Sequence, residues 1–145
     1  MTPADILSIE RGIVIAPAGC GKTHSIVEVL ATHGDSLPIL VLTHTNAGVA
    51  ALRSRLNARG VARQRYRLAT IDGWAMRIVG MLPKRAEYTG GVSPKNPNYK
   101  RIRKTAWELI RARHINDIIS ANYSRLLVDE YQDCSVDQHG ILRCP

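Results

Sequence analysis

Cysteine is scarce and poorly spaced for chemistry. Cys20, Cys134 and Cys144 form an odd set with neither metal-ligand nor disulfide-framework spacing, so a reduced, cytoplasmic setting is expected. No apolar run approaches the roughly 20 residues of a bilayer-spanning helix, so no membrane association is expected. The N-terminus lacks the basic start and long apolar stretch of a secretory leader. Internal repeats and low-complexity tracts are also missing. Phenylalanine is absent and aromatics total five Tyr and two Trp. What remains is 145 residues at 45% hydrophobic content, enough for one globular domain with a real core.

Acids are outnumbered, 12 against 20 Lys and Arg, for a net charge of +8. The excess is not spread evenly. Residues 50–113 hold 16 of the 20 cations and three of the 12 acids, so the rest of the chain is net acidic. The same stretch holds Tyr66, Trp74, Tyr88, Tyr99 and Trp107. Positive charge follows a phosphate backbone and aromatic faces stack on unpaired bases, which points to nucleic acid. Acidic protein partners and simple solubility are the alternatives for the charge. Trp74 and Trp107, taken singly, read as core residues.

Residues 16–23 read Ala-Pro-Ala-Gly-Cys-Gly-Lys-Thr, directly after the apolar Gly12-Ile13-Val14-Ile15. A strand, a glycine-containing turn, Lys-Thr and then a helix is the setting of a phosphate-binding loop. Backbone N–H groups of such a turn cradle phosphate oxygens. Gly19 and Gly21 permit the close approach that a Cβ would block, and the helix start adds free N–H groups and a positive dipole end. The usual pattern opens with Gly, where this chain has Ala16. The nucleotide-binding stretch is therefore expected to comprise Ala16, Pro17, Ala18, Gly19, Cys20, Gly21, Lys22, Thr23 and His24. Lys22 would reach the β- and γ-phosphates of ATP, and the Thr23 hydroxyl would ligate Mg²⁺. Cys20 reads as a small filler.

Residues 126–133 read Leu-Leu-Val-Asp-Glu-Tyr-Gln-Asp. The apolar triplet resembles a buried parallel strand, and ligands in open α/β sheets bind at the C-terminal ends of strands. Two adjacent acids there are costly unless they meet a cation. Asp129 is the expected Mg²⁺ ligand and Glu130 the expected general base for the attacking water.

The remaining pattern predicts strands at 12–16, Ile39–Leu42, 66–71 and 126–128, and helices over Thr23–His33, from Thr45 or Asn46 to Arg59, from Asp72 to Met81 with Asp72 as the cap, over Tyr99–His114, over 115–121, and from Ser135 onward. Residues 83–98 read as an irregular connection. The alternation predicts a parallel sheet with helices on both faces. Right-handed crossovers then place the loop, 43–45, 70–72 and 129–130 on one edge.

These motifs together resemble the UvrD/Rep-type superfamily 1 DNA helicases. Residues 16–23 are similar to that family's motif I, which tolerates Ala at the first position. Leu40-Val41-Leu42-Thr43-His44-Thr45-Asn46 is similar to motif Ia, and Asp129-Glu130-Tyr131-Gln132-Asp133 to motif II. Thr70-Ile71-Asp72-Gly73 is similar to motif Ib, which more often has His where Asp72 stands. The likeness covers about residues 12 to 142. It implies a P-loop NTPase (RecA-like) α/β fold, incomplete relative to a full helicase, and ATP-driven motion along single-stranded DNA. It implies that Thr43, His44, Thr45 and Asn46 contact the strand, with Thr70 and Gly73 nearby. His44 stands where relatives place Phe and can still stack on a base. Gln132 would link hydrolysis to domain motion, completing a catalytic set of Glu130, Lys22 and Gln132.

On the same resemblance, the chain is expected to be one N-terminal ATPase domain over 1–145, a fragment with a short basic insertion at about 83–113. Motif III, the second RecA-like domain with its arginine fingers, and an adenine-reading Gln upstream of the loop are not in it. The isolated chain would bind ATP·Mg²⁺ yet be nearly inactive as a hydrolase or helicase. Two alternatives differ in kind: a nucleic-acid-binding module with a regulatory or vestigial nucleotide site, and another P-loop enzyme such as a small-molecule kinase.

Overall fold

The computed structural model describes residues 1–15, 21–86 and 97–143. Its sheet has three parallel strands in the order β2-β1-β3: β1 (Ile39–Thr43), β2 (Tyr66–Thr70) and β3 (Arg125–Val128). In register, Ile39 lies between Tyr66 and Arg125, and Thr43 pairs with Thr70. The sheet is extended beyond Val128 by one bond, from the Asp129 N–H to the Leu42 carbonyl at 2.9 Å.

All five residues of β1 are buried, as suits a strand covered on both faces. Its pleat divides the core. Leu40 and Leu42 join Ile71, Trp74 and Ile78 of α4 (Ile71–Met81) and Ile102, Ala106 and Ile110 of α6 (Tyr99–Arg111). Ile39 and Val41 join Val29 and Leu30 of α2 (Lys22–Thr32) and Leu52 and Leu56 of α3 (Asn46–Ala58). Burying one such aliphatic side chain contributes roughly 1.5–3 kcal/mol. The expected α/β class, with helices on both faces of a parallel sheet, is what the structure has. The smaller helices are α1 (Pro3–Ser8), α5 (Pro83–Ala86), α7 (Asn116–Asn122) and α8 (Val136–Arg143).

Each helix start has a local cause. Gly21 caps α2 in a left-handed conformation with φ 81°, open to glycine at no steric cost. Thr45 and Thr70 cap α3 and α4 in the same way as each other. Each hydroxyl accepts from the N–H three residues on, Gly48 and Gly73, at 3.0 Å. A Cβ at either glycine would come within 2.6 Å or 2.9 Å of a threonine oxygen. Ser135 caps α8, its hydroxyl accepting from the Gln138 N–H.

Three expectations are corrected, and one element is added. The apolar segment 12–15 is not a strand: Ile13, Val14 and Ile15 are 69%, 39% and 91% exposed. Arg125 Nη1 of β3 donates to the Ile9 carbonyl at 3.2 Å, and among the described residues no backbone pairing joins 12–15 to the sheet. Thr70, not Asp72, caps α4, and Asp72 falls in the first turn. Within 83–98, Pro83–Ala86 forms a helical turn, α5, while 87–96 lie outside the described residues. Finally, α1 has no counterpart among the expected helices, although Thr2 and Asp5 form a reciprocal capping box.

Candidate functional site

The C-terminal edge of the sheet gathers Thr43 from β1, Thr70 from β2 and Asp129 after β3. Of the expected nucleotide-binding stretch, Ala16, Pro17, Ala18, Gly19 and Cys20 lie outside the described residues. Gly21, Lys22, Thr23 and His24 form the cap and first turn of α2. Lys22 and Thr23 are half-buried and His24 is exposed.

Asp129 is 7% exposed. Burial first, and the neighbouring Glu130 second, push its carboxyl above the ordinary value; the Glu130 N–H, Lys22 and Arg55 pull the other way and do not win. Lys22 and Asp129 therefore share one electrostatic neighbourhood despite their distance along the chain. A buried carboxylate short of compensating charge, with a lysine in its field, suits a divalent cation that also holds phosphates. Mg²⁺ is commonly bound by one or two carboxylates plus substrate phosphates rather than by a protein cage. No cluster of three or more His, Cys, Asp or Glu suited to a metal occurs among the described residues.

Glu130 directly follows, with φ 55° and ψ 43°, a left-handed conformation uncommon outside glycine. Gln132 Nε2 donates to Glu130 Oε2, so two members of the expected catalytic set hold each other. The turn Tyr131–Asp133 is tied to α8 by the hydrogen bond between the Tyr131 hydroxyl and His139 Nδ1.

The residues expected to touch a nucleic acid divide by exposure. Thr45 and Asn46 are exposed, and His44, Thr70 and Gly73 are half-buried. Thr43 is 3% exposed and packs beneath Gly48, so its side chain supports the loop from inside. Of the aromatics, Trp74 and Tyr66 are core residues, Trp107 is half-buried with the Arg111 guanidinium over its ring at 5.8 Å, and Tyr99 is 44% exposed. Tyr88 lies outside the described residues.

Three features have no signal in the sequence. Arg55 of α3 acts on Asp129; by spacing alone it is one of several arginines off the apolar stripe. A cleft of about 300 Å³ lies beside it, lined by His24, Val27, Glu28, Arg55, Ala58 and Arg59. It is closed on one side by the bidentate pair Arg59–Glu28, at 2.8 and 3.2 Å. The third feature is a polar seam on the opposite face of the sheet. Arg103 of α6 donates twice to Asp72, at 2.7 and 2.8 Å, and Gln138 of α8 adds a third bond at 3.2 Å. Burial opposes the Asp72 charge, but these bonds outweigh it and hold its carboxyl below the usual range.

No helix among the described residues is long and apolar enough to cross a membrane. Neither curated proteins nor solved structures gave a match. A family model described as an AAA domain matches residues 5–143, almost the whole chain. With a glycine-capped helix after the glycine-rich stretch, a buried Asp129 at the end of β3 and a parallel sheet between helical layers, the chain belongs to the AAA-domain family of nucleotide-binding P-loop domains, a family found in UvrD/Rep-like helicases.

Proposed function

We propose that this chain is the ATP-binding motor domain of an ATP-dependent helicase or translocase acting on single-stranded DNA. The observation that carries this reading is the shared neighbourhood of Lys22 and Asp129 on the sheet edge that also carries the His44–Asn46 and Thr70–Gly73 segments. Phosphate chemistry and strand contact are then neighbours, as a motor requires. ATP would lay its phosphates across the turn before α2, with Mg²⁺ between Thr23 and Asp129. The cleft lined by His24 and Arg55 would take the nucleoside end. Glu130 would orient the attacking water once Gln132 lets its carboxylate go.

A motor of this kind works as a pair of such domains, the second supplying arginines to the transferring phosphoryl group. Those arginines are worth several orders of magnitude in rate. The chain alone is therefore expected to bind ATP·Mg²⁺ weakly, to hydrolyse it very slowly, and not to separate a duplex.

The test is titration with a fluorescent ATP analogue, together with phosphate release with and without a single-stranded oligonucleotide. Lys22→Ala should abolish Mg²⁺-dependent nucleotide binding. Glu130→Gln should keep binding and remove residual turnover. Parental turnover in Glu130→Gln would reject the role given to Glu130, and full binding by Lys22→Ala would reject the site.

A further inference from the structure

Among the described residues, a hydrogen-bonded side-chain pair joins the loop after β1 to the turn after Asp129. Cys134 Sγ and His44 Nε2 share a hydrogen bond at 3.5 Å. On its own side, His44 is flanked by two anchored residues: Thr43, buried in the sheet edge, and Thr45, whose hydroxyl caps α3. The imidazole itself is half-buried and hydrogen-bonded to Cys134. Cys134 closes the turn Tyr131–Asp133, its N–H donating to the Tyr131 carbonyl at 3.1 Å. The other end of the same turn is Glu130, in its left-handed backbone conformation with its carboxylate taken by Gln132.

Among the described residues, three hydrogen bonds tie the turn to its surroundings, and Cys134 also packs against the core around Trp74 and Ile102. The Asp129 N–H holds it to the sheet, and the Tyr131–His139 pair holds it to α8. The Cys134–His44 pair is the one that ends on the surface proposed above for the strand. A thiol is a weak donor and a weak acceptor, whereas an imidazole stacks on an unpaired base with useful strength. The two uses of His44 compete.

We propose that the Cys134–His44 contact is a latch that reports strand occupancy to Glu130: a base that takes the His44 imidazole frees Cys134 and loosens the turn that keeps Glu130 bound to Gln132. This deepens the reading given under Proposed function and rests on it. His44 touches the strand, and Cys134 is a positioning residue acting through the turn. Coupling is reciprocal, so removing the latch must also change strand affinity.

The experiment uses the full chain and an oligothymidylate. Alkylation of Cys134 by N-ethylmaleimide is followed by peptide mass mapping, and binding in the same samples is followed by fluorescence anisotropy. Saturating oligonucleotide should accelerate Cys134 alkylation several-fold. His44→Ala should show the fast rate with or without oligonucleotide. Cys134→Ala should bind the strand several-fold more tightly than the parent, while Cys134→Ser, which keeps a hydrogen-bonding atom, should bind as the parent does. A merely structural cysteine would lower the stability of both variants without raising affinity. Binding with an unchanged or slower Cys134 rate, or an unchanged affinity in Cys134→Ala, overturns the latch alone. No binding at saturating oligonucleotide overturns the nucleic-acid reading, and the latch with it.

Discussion

Asp129 and Asp72 are both shielded carboxylates, and their environments push them in opposite directions. Asp129 is raised, by burial and by Glu130, so the folded chain favours its protonated form. The associated stability is complete below the ordinary carboxylate pKa and is lost as pH rises through the folded value. At neutral pH the charged group is a burden that a bound cation would relieve. Asp129→Asn should therefore stabilise the ligand-free chain by roughly 1 kcal/mol, or roughly 3 °C in melting temperature. The gain should fade in acid, and Mg²⁺-dependent nucleotide binding should disappear. A lower melting temperature for the variant at pH 7 would contradict the burden. Asp72 is lowered, because the bonds from Arg103 and Gln138 outweigh burial. Its contribution is present above the ordinary carboxylate pKa and is lost as pH falls through the folded value. Arg103→Ala strands that carboxylate and should cost about 2 kcal/mol near pH 7, measured as a lower urea midpoint. The deficit should shrink as pH falls below about 4, where free carboxylates titrate.

At the scale of elements, two helical glycines should respond oppositely to the same substitution. Gly140 lies within α8, where an added Cβ would meet the Trp107 ring at 3.4 Å, an ordinary contact. Gly140→Ala should raise stability by about 0.5–1 kcal/mol, the helix-propensity difference. Gly48 lies in the first turn of α3, where a Cβ would stand 2.6 Å from Thr43 Oγ1 and 3.3 Å from its methyl. Thr43 is buried in the sheet edge and cannot step aside, so Gly48→Ala should cost roughly 1–3 kcal/mol as an overpacking change. Thermal melts of the two variants settle the pair. Neither outcome is legible in the sequence, since both glycines sit in unbroken helical patterns and their neighbours come from elsewhere in the chain. The apolar spacing of α6 is legible, because Ile102, Ala106, Leu109 and Ile110 must share a face and are all buried. The segment at 12–15 misleads for a related reason. An apolar run signals a need for burial but carries no information about which edge will meet it, and segment 12–15 joins no strand of the described sheet.

At the scale of the whole molecule, local motifs locate the strand ends, and sheet topology brings them to one edge. That is why the sequence leads one to expect Lys22 and Asp129 at a single site. Side-chain partners chosen among many equals cannot. Sixteen cations crowd residues 50–113, and nothing in their order says that Arg103 meets Asp72 or that Arg59 meets Glu28. The pairings matter for the electrostatic footprint, since Arg59 and Arg103 are committed to carboxylates within the fold. Lys100 and Lys104 lie one turn apart on α6, flanking Arg103. Lys104 has only a loose partner, Glu108 at 3.9 Å with both side chains mostly in solvent, and such pairs contribute little. These lysines should then be available to a phosphate backbone. Replacing both with Ala should weaken oligonucleotide binding and flatten the plot of log affinity against log salt by about 0.7 for each phosphate no longer neutralised. Nucleotide affinity should not change, because α6 packs on the sheet face opposite α2. Anisotropy titrations across a salt series measure the slope. An unchanged slope would move the strand off α6, toward the arginines of α3 and β2.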